Sequence, residues 1–144
     1  MIEQDTTRLL RECDAGVKMG IDSIEDVVDR VSSKNLKKYL NDCKFQHQKL
    51  QDEIEQLLDK YKDDGKDPNP ITKGMSWMKT NMMLIVDESD EKIADLMTDG
   101  CNMGVKSLSR YLNQYPAADS EARSIAKRLI SEEEKLAKDI RTYL

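Results

Sequence analysis

The stretch CDAGVK at residues 13–18 returns as CNMGVK at residues 101–106, and this repeat decides the fold. Cysteine, glycine, valine and lysine recur in the same register. Around both copies, apolar residues follow one another at steps of three and four, the spacing of one face of an α-helix. Each copy lies on the first helix of a predicted helical hairpin. The chain is therefore expected to consist of two related hairpins.

Apolar stripes predict four core helices. The stripe of helix 1 is Leu9, Leu10, Cys13, Val17, Ile21, Ile24, Val28 and Val31, and that of helix 2 is Leu36, Leu40, Cys43, His47, Leu50, Ile54, Leu57 and Tyr61. The stripe of helix 3 is Ile93, Met97, Cys101, Val105, Leu108, Leu112 and Tyr115. That of helix 4 is Ile125, Leu129, Leu136, Ile140 and Tyr143, with one gap filled by Glu132 or Glu133. Ser32 and Ser33 end helix 1 and Pro116 ends helix 3, so each hairpin has a short turn and antiparallel helices.

The 144 residues fit one domain, 1–144, made of a hairpin 1–61, a connection 62–87 and a hairpin 88–144. The connection opens with the turn-rich KDDGKDPNP at 62–70, and the apolar spacing after it predicts an extra short helix over 71–86. Antiparallel neighbours in a bundle are usually joined by roughly two to eight residues, so this connection is far longer than usual. It can reach the opposite end of the molecule, which predicts that helices 2 and 3 run parallel. The expected fold class is an all-α four-helix bundle.

Composition limits the partners and the compartment. The 28 acidic against 23 basic residues give a net charge of −5, the wrong sign for a protein that follows phosphates, so we expect no nucleic acid partner. The N-terminus lacks the basic start and apolar run of a signal peptide, and no apolar stretch approaches the roughly 18 residues of a membrane span. We therefore expect a cytoplasmic protein that does not enter membranes. In that compartment the three cysteines are expected to be reduced, buried thiols.

Four short motifs occur in a fixed order: Cys-x-x-Gly at 13–16, Asn-Leu-Lys-x-x-Leu at 35–40, Gly-x-x-Trp-x-Lys at 74–79 and a second Cys-x-x-Gly at 101–104. With these motifs the chain resembles the ferritin-like superfamily over nearly its whole length. Within that superfamily it is most similar to a bacterial family of four-helix-bundle proteins known as a domain of unknown function. The resemblance implies two helical hairpins joined by a long crossover that contains an extra short helix.

In metal-binding ferritin-like proteins, the second helix of each hairpin carries Glu-x-x-His, whose side chains project together toward two iron ions. Both copies are broken in this chain. Lys44 stands at the glutamate position before His47, and Leu136 stands at the histidine position after Glu133. The inward positions of the first helices at the same level carry Val17 and Val105 instead of carboxylates.

These departures favour a non-enzymatic ferritin-like protein with a decayed metal site and a structural or protein-interaction role. We expect no cofactor, and a partner that is either a second copy of the chain or another protein. In this interpretation His47 is a core imidazole bonded to a backbone carbonyl, to Glu133 or to a tyrosine. The alternative is a metal-binding protein, for iron handling or as an oxidoreductase, that holds iron or another divalent metal with His47, Glu133 and Cys101.

Overall fold

The computed structural model describes residues 2–66 and 89–144, and in these ranges the chain is helical without any strand. The helices are α1 (Ile2–Val28), α2 (Lys34–Lys60), α3 (Asp90–Gln114) and α4 (Ser120–Asp139), and a 3-10 turn (Ile140–Tyr143) follows α4. The prediction of an all-α protein with four core helices is confirmed. The predicted short helix at 71–86 lies outside the described residues, as does most of the connection 62–87.

Each of the three later helices begins at a side-chain cap. Ser33, Ser89 and Asp119 accept hydrogen bonds from the backbone N–H groups of Leu36, Lys92 and Ala122, respectively. Such a cap satisfies a donor that the first helical turn leaves without a partner. Helix α1 ends three residues before Val31, the last residue of its predicted stripe, although Val31 is buried.

Hydrogen bonds between helix ends give the direction of the helices. The backbone N–H groups of Ser32 and Ser33 donate to the carboxylate of Asp90, at 2.8 and 2.9 Å. The starts of α2 and α3 therefore lie at the same end of the bundle. At the other end, the hydroxyl of Tyr61 donates to Asp119, the cap of α4, over 3.3 Å. Helix α4 thus runs antiparallel to α2.

The core consists of two apolar clusters, one at each end of the bundle. On α2 the first cluster includes Leu36, Leu40 and Cys43, and the second includes Leu50, Ile54 and Leu58. His47 lies between these two sets. On α4 the first cluster takes Leu136 and the second takes Ile125 and Leu129, and Glu133 lies between them. Polar side chains therefore separate the two apolar clusters in the middle of the bundle.

Most residues of the predicted stripes are buried, with small differences toward the helix ends. On α2 Leu58 is buried, whereas Leu57 and Tyr61 are half-buried. On α3 Val105, Leu112 and Tyr115 are also half-buried. The gap in the stripe of helix 4 is filled by Glu133, which is buried, and not by Glu132.

Candidate functional site

His47 is held in the core by contacts at both ring nitrogens. The side chain is 1 % exposed and lies on the inward face of α2. Nδ1 lies 2.9 Å from the carbonyl oxygen of Cys43, one turn earlier, and Nε2 lies 2.7 Å from Oε1 of Glu133 on α4. A carbonyl oxygen only accepts, so Nδ1 carries the hydrogen of that bond. The ring orientation is thereby fixed from two sides.

The partners of His47 favour the protonated ring. Burial lowers the pKa of His47, but the hydrogen bond to Glu133, the charge of Glu133 and the bond to the Cys43 carbonyl raise it, and the net shift is upward from 6.5. An imidazolium has one N–H for each of its two acceptors, whereas the neutral ring has one N–H for both. We therefore describe the contact as a buried imidazolium–carboxylate pair.

Gly20 on α1 provides the space for the imidazole. A Cβ atom at this position would lie 2.8 Å from Cδ2 and 3.0 Å from Nε2 of His47. Real Cβ atoms do not approach other heavy atoms so closely, so only glycine lets α1 pack against the ring without displacing it.

Cys101 on α3 completes the set of residues that the sequence predicts as metal ligands. Burial raises the pKa of its thiol, and the charge of Glu133 and a hydrogen bond with Glu133 raise it further. The structure brings all three predicted residues together, because His47 contacts Glu133 directly and the charge of Glu133 acts on the Cys101 thiol. Cys13 and Cys43 are also buried free thiols, and burial raises their pKa values to about 12 and about 11.

The arrangement of these three residues does not fit a metal site. A metal ion binds the lone pair of an imidazole nitrogen, but one nitrogen of His47 points at the Cys43 carbonyl and the other is bonded directly to Glu133. A thiol binds metal as thiolate, and the surroundings of Cys101 favour the protonated form. Within residues 2–66 and 89–144, no group of three or more His, Cys, Asp and Glu side chains is arranged to hold a metal ion.

A cleft of about 500 Å³ lies beside the His47–Glu133 pair, between α1 and α3. We call it the α1–α3 cleft. The α1 wall consists mainly of small residues and one methionine, Ala15, Gly16, Met19, Gly20 and Ser23, with Glu12 beside them. The α3 wall includes Gly100, Cys101, Gly104 and Leu108, and the floor includes His47, Leu129 and Glu133. The two glycines of the sequence repeat, Gly16 and Gly104, thus lie on opposite walls of one cleft.

A second buried acid, Asp14 on α1, joins that helix to the chain that follows α2. Its side chain is 1 % exposed, and Oδ2 accepts from the backbone N–H of Lys66 at 2.9 Å and pairs with the ammonium of Lys18 at 2.8 Å. Gly65 has a φ of +86°, and a Cβ atom there would collide with the Asp14 carboxylate. No described residue donates to Oδ1 of Asp14. Lys66 also pairs with Glu12 over 2.6 Å at one end of the α1–α3 cleft.

Neither the cleft nor Asp14 is predicted by the sequence analysis. Asp14 stands next to the stripe residue Cys13, and helical spacing alone places it at the edge of the buried face. The signals available were Gly16 and Gly104, because two glycines inside predicted helices indicate either close packing or open space.

None of the helices in the described part of the chain is long and apolar enough to span a membrane. Comparison of the chain with protein-family models, with curated proteins and with solved structures finds no match.

Proposed function

We propose that this chain is a non-enzymatic, ferritin-like four-helix-bundle protein with a decayed metal site and a structural or protein-interaction role. Three features support the ferritin-like assignment: the repeat in the first helix of each hairpin, the antiparallel course of α2 and α4, and the shared starting end of α2 and α3. The last feature fits a connection that crosses the length of the bundle.

The observation that carries this proposal is the contact of His47 with Glu133. These are the residues that remain from the two broken Glu-x-x-His motifs, and they bind each other at 2.7 Å. Each satisfies the other's need for a partner in the core, and the contact occupies the imidazole lone pair that a metal would need. The pair therefore has a structural role.

That role is to fix how α2 and α4 pack. Only one relative position of the two helices brings the imidazole and the carboxylate together, and any shift along the axis leaves a charge buried among apolar side chains. Buried polar contacts specify register in this way in coiled coils, at a cost in stability.

An interaction role is consistent with large apolar side chains on the surface. Phe45 on α2 is 54 % exposed, and Met103 on α3 is 51 % exposed. Aromatic residues and methionine are enriched in protein interfaces. The partner is proposed to be a second copy of the chain or another protein, and sedimentation of the parent and of Phe45→Ser tests self-association through this side chain.

Metal analysis tests the absence of a metal centre. Protein produced with iron, manganese and zinc supplied, then desalted, should carry clearly less than one metal ion per chain. A stoichiometric metal that His47→Gln removes, and that the neighbouring surface control Gln46→Ala retains, would contradict the proposal.

The same result would favour the second candidate, a metal-binding ferritin-like protein that handles iron or acts as an oxidoreductase. The observation in its favour is the convergence of His47 and Cys101 on Glu133. Metal binding would require Glu133 to move off the imidazole.

A further inference from the structure

We propose that the α1–α3 cleft binds a mostly apolar small molecule that carries one protonated amine, with the ammonium on the carboxylate of Glu133. This inference goes beyond the structural role proposed above. It rests on the shape of the cleft, the chemistry of its walls and the position of one buried carboxylate.

The cleft has more space than the packing of the helices requires. A Cβ atom at Gly16 would lie 3.8 Å from Leu108 and from Leu129, and a Cβ atom at Gly104 would lie 3.7 Å from Oε2 of Glu133, all ordinary contact distances. Among the described residues, nothing therefore prevents alanine at either position. Glycine inside a helix is less stable than alanine, so the two glycines widen the cleft at the expense of the fold.

The walls of the cleft suit an apolar ligand. Its volume of about 500 Å³ falls within the range of roughly 300 to 1,000 Å³ that is usual for small-molecule sites. Apolar side chains dominate the lining: Met19, Met97, Leu108, Leu129 and Leu136. Methionine adapts its shape to a ligand more readily than branched side chains do.

The charged groups at the cleft favour a cation over an anion. Glu133 is 9 % exposed and uses Oε1 for His47, while Oε2 lies beside Gly104 on the cleft wall. A carboxylate accepts several hydrogen bonds, so Glu133 can accept from an ammonium while it keeps its bond to His47. The ammonium of Lys66, at one end of the cleft, is already paired with Glu12. The charge of Glu133 is already paired with the His47 imidazolium, but Oε2 can accept further hydrogen bonds, which an ammonium donates and a carboxylate anion cannot.

The test compares three ligands that share one alkyl chain and differ only in the head group: n-octylamine, n-octanol and n-octanoate. Isothermal titration calorimetry at pH 7 should show that n-octylamine binds with one site per chain and at least tenfold more tightly than n-octanoate. Glu133→Gln should weaken n-octylamine binding at least tenfold. Glu55→Gln removes one carboxylate from the exposed face of α2 and should leave the affinity unchanged.

A second variant tests the cleft without changing any charge. Gly16→Leu places an isobutyl group in the cleft and should weaken n-octylamine binding at least tenfold while the helix content, measured by circular dichroism, stays that of the parent. This variant keeps the proposal testable if Glu133→Gln does not fold. The proposal is overturned if n-octylamine does not bind, if n-octanoate binds equally well, or if Gly16→Leu binds n-octylamine like the parent.

Discussion

Nε2 of His47 and Oε1 of Glu133 lie 2.7 Å apart, and this contact joins the middle of α2 to the middle of α4. It lies between the two apolar clusters of the core, so helices from both hairpins meet at one buried polar contact. Because both partners are buried, the contact should affect the stability of the protein and make that stability depend on pH.

Removing one partner of this contact should destabilise the protein strongly. His47→Leu leaves the carboxylate of Glu133 buried without its partner, and breaking a buried ion pair in this way costs about 3 to 5 kcal/mol. Urea denaturation followed by circular dichroism measures the change, with Gln46→Ala as the surface control. The double variant His47→Leu/Glu133→Met replaces both partners by apolar groups and should recover most of the loss. A double variant that is less stable than His47→Leu would contradict this account of the pair.

The pair should also make stability depend on pH. The pKa of His47 is raised above 6.5 in the folded protein, because the bond to Glu133 and the charge of Glu133 outweigh burial. The folded state therefore binds the proton more tightly than the unfolded chain does. The resulting stabilisation is complete below pH 6.5 and is lost as the pH rises through the folded-state pKa. The melting temperature of the parent should fall over this range more than that of His47→Gln, and equal slopes would contradict the raised pKa.

Gly20 and Gly16 should respond in opposite directions to the same substitution. Gly20→Ala places a methyl group 2.8 Å from the ring of His47, whereas Gly16→Ala places one at ordinary contact distance from Leu108 and Leu129. Gly16→Ala should therefore raise the free energy of unfolding by about 0.5 to 1 kcal/mol, because helices favour alanine over glycine. Gly20→Ala should lose about 1 to 3 kcal/mol, as other overpacked core variants do. Thermal melting of both variants checks this, and a Gly20→Ala protein as stable as Gly16→Ala would show that the ring is not held against α1.

The second apolar cluster should depend on the leucines that α2 and α4 contribute to it. Leu50 is 3 % exposed and Leu129 is 1 % exposed, so replacing either by alanine should cost about 2 to 5 kcal/mol. Leu144 is 54 % exposed and serves as the control, with an expected change within about 0.5 kcal/mol. Chemical denaturation of the three variants measures these differences. If Leu50→Ala and Leu144→Ala cost the same, the predicted stripe of α2 would not face the core.

The helices could be predicted because their burial follows a local pattern. A step of three or four residues is enough to place Leu40, Cys43 and His47 on one face of α2, and all three are buried. The boundaries do not follow from the same pattern: the stripe predicts that helix 1 reaches Val31, but α1 ends at Val28. A stripe identifies the inward face and does not report where the backbone hydrogen bonds of the helix stop.

The candidate site could be predicted only in part. The sequence indicated Glu132 or Glu133 as the inward acid and allowed Glu133 as a partner of His47, but the choice depends on how α4 is rotated against α2. The role of Gly20 depends on a ring from another helix, and the α1–α3 cleft depends on the distance between two helices. Asp14 is buried because Gly65 and Lys66 cover it, and both residues are distant from Asp14 in the sequence. Such contacts between distant residues have no local signature.

Nitrogen-15 NMR of the histidine side chain tests the central claim most directly, since His47 is the single histidine of the chain and its signals need no assignment among others. At pH 6 both ring nitrogens should carry a hydrogen, and the N–H at Nε2 should donate to the carboxylate of Glu133. Addition of one equivalent of zinc should leave both signals unchanged. Loss of the hydrogen from Nε2 together with a stoichiometric shift on zinc addition would show that His47 is a metal ligand and would contradict the account.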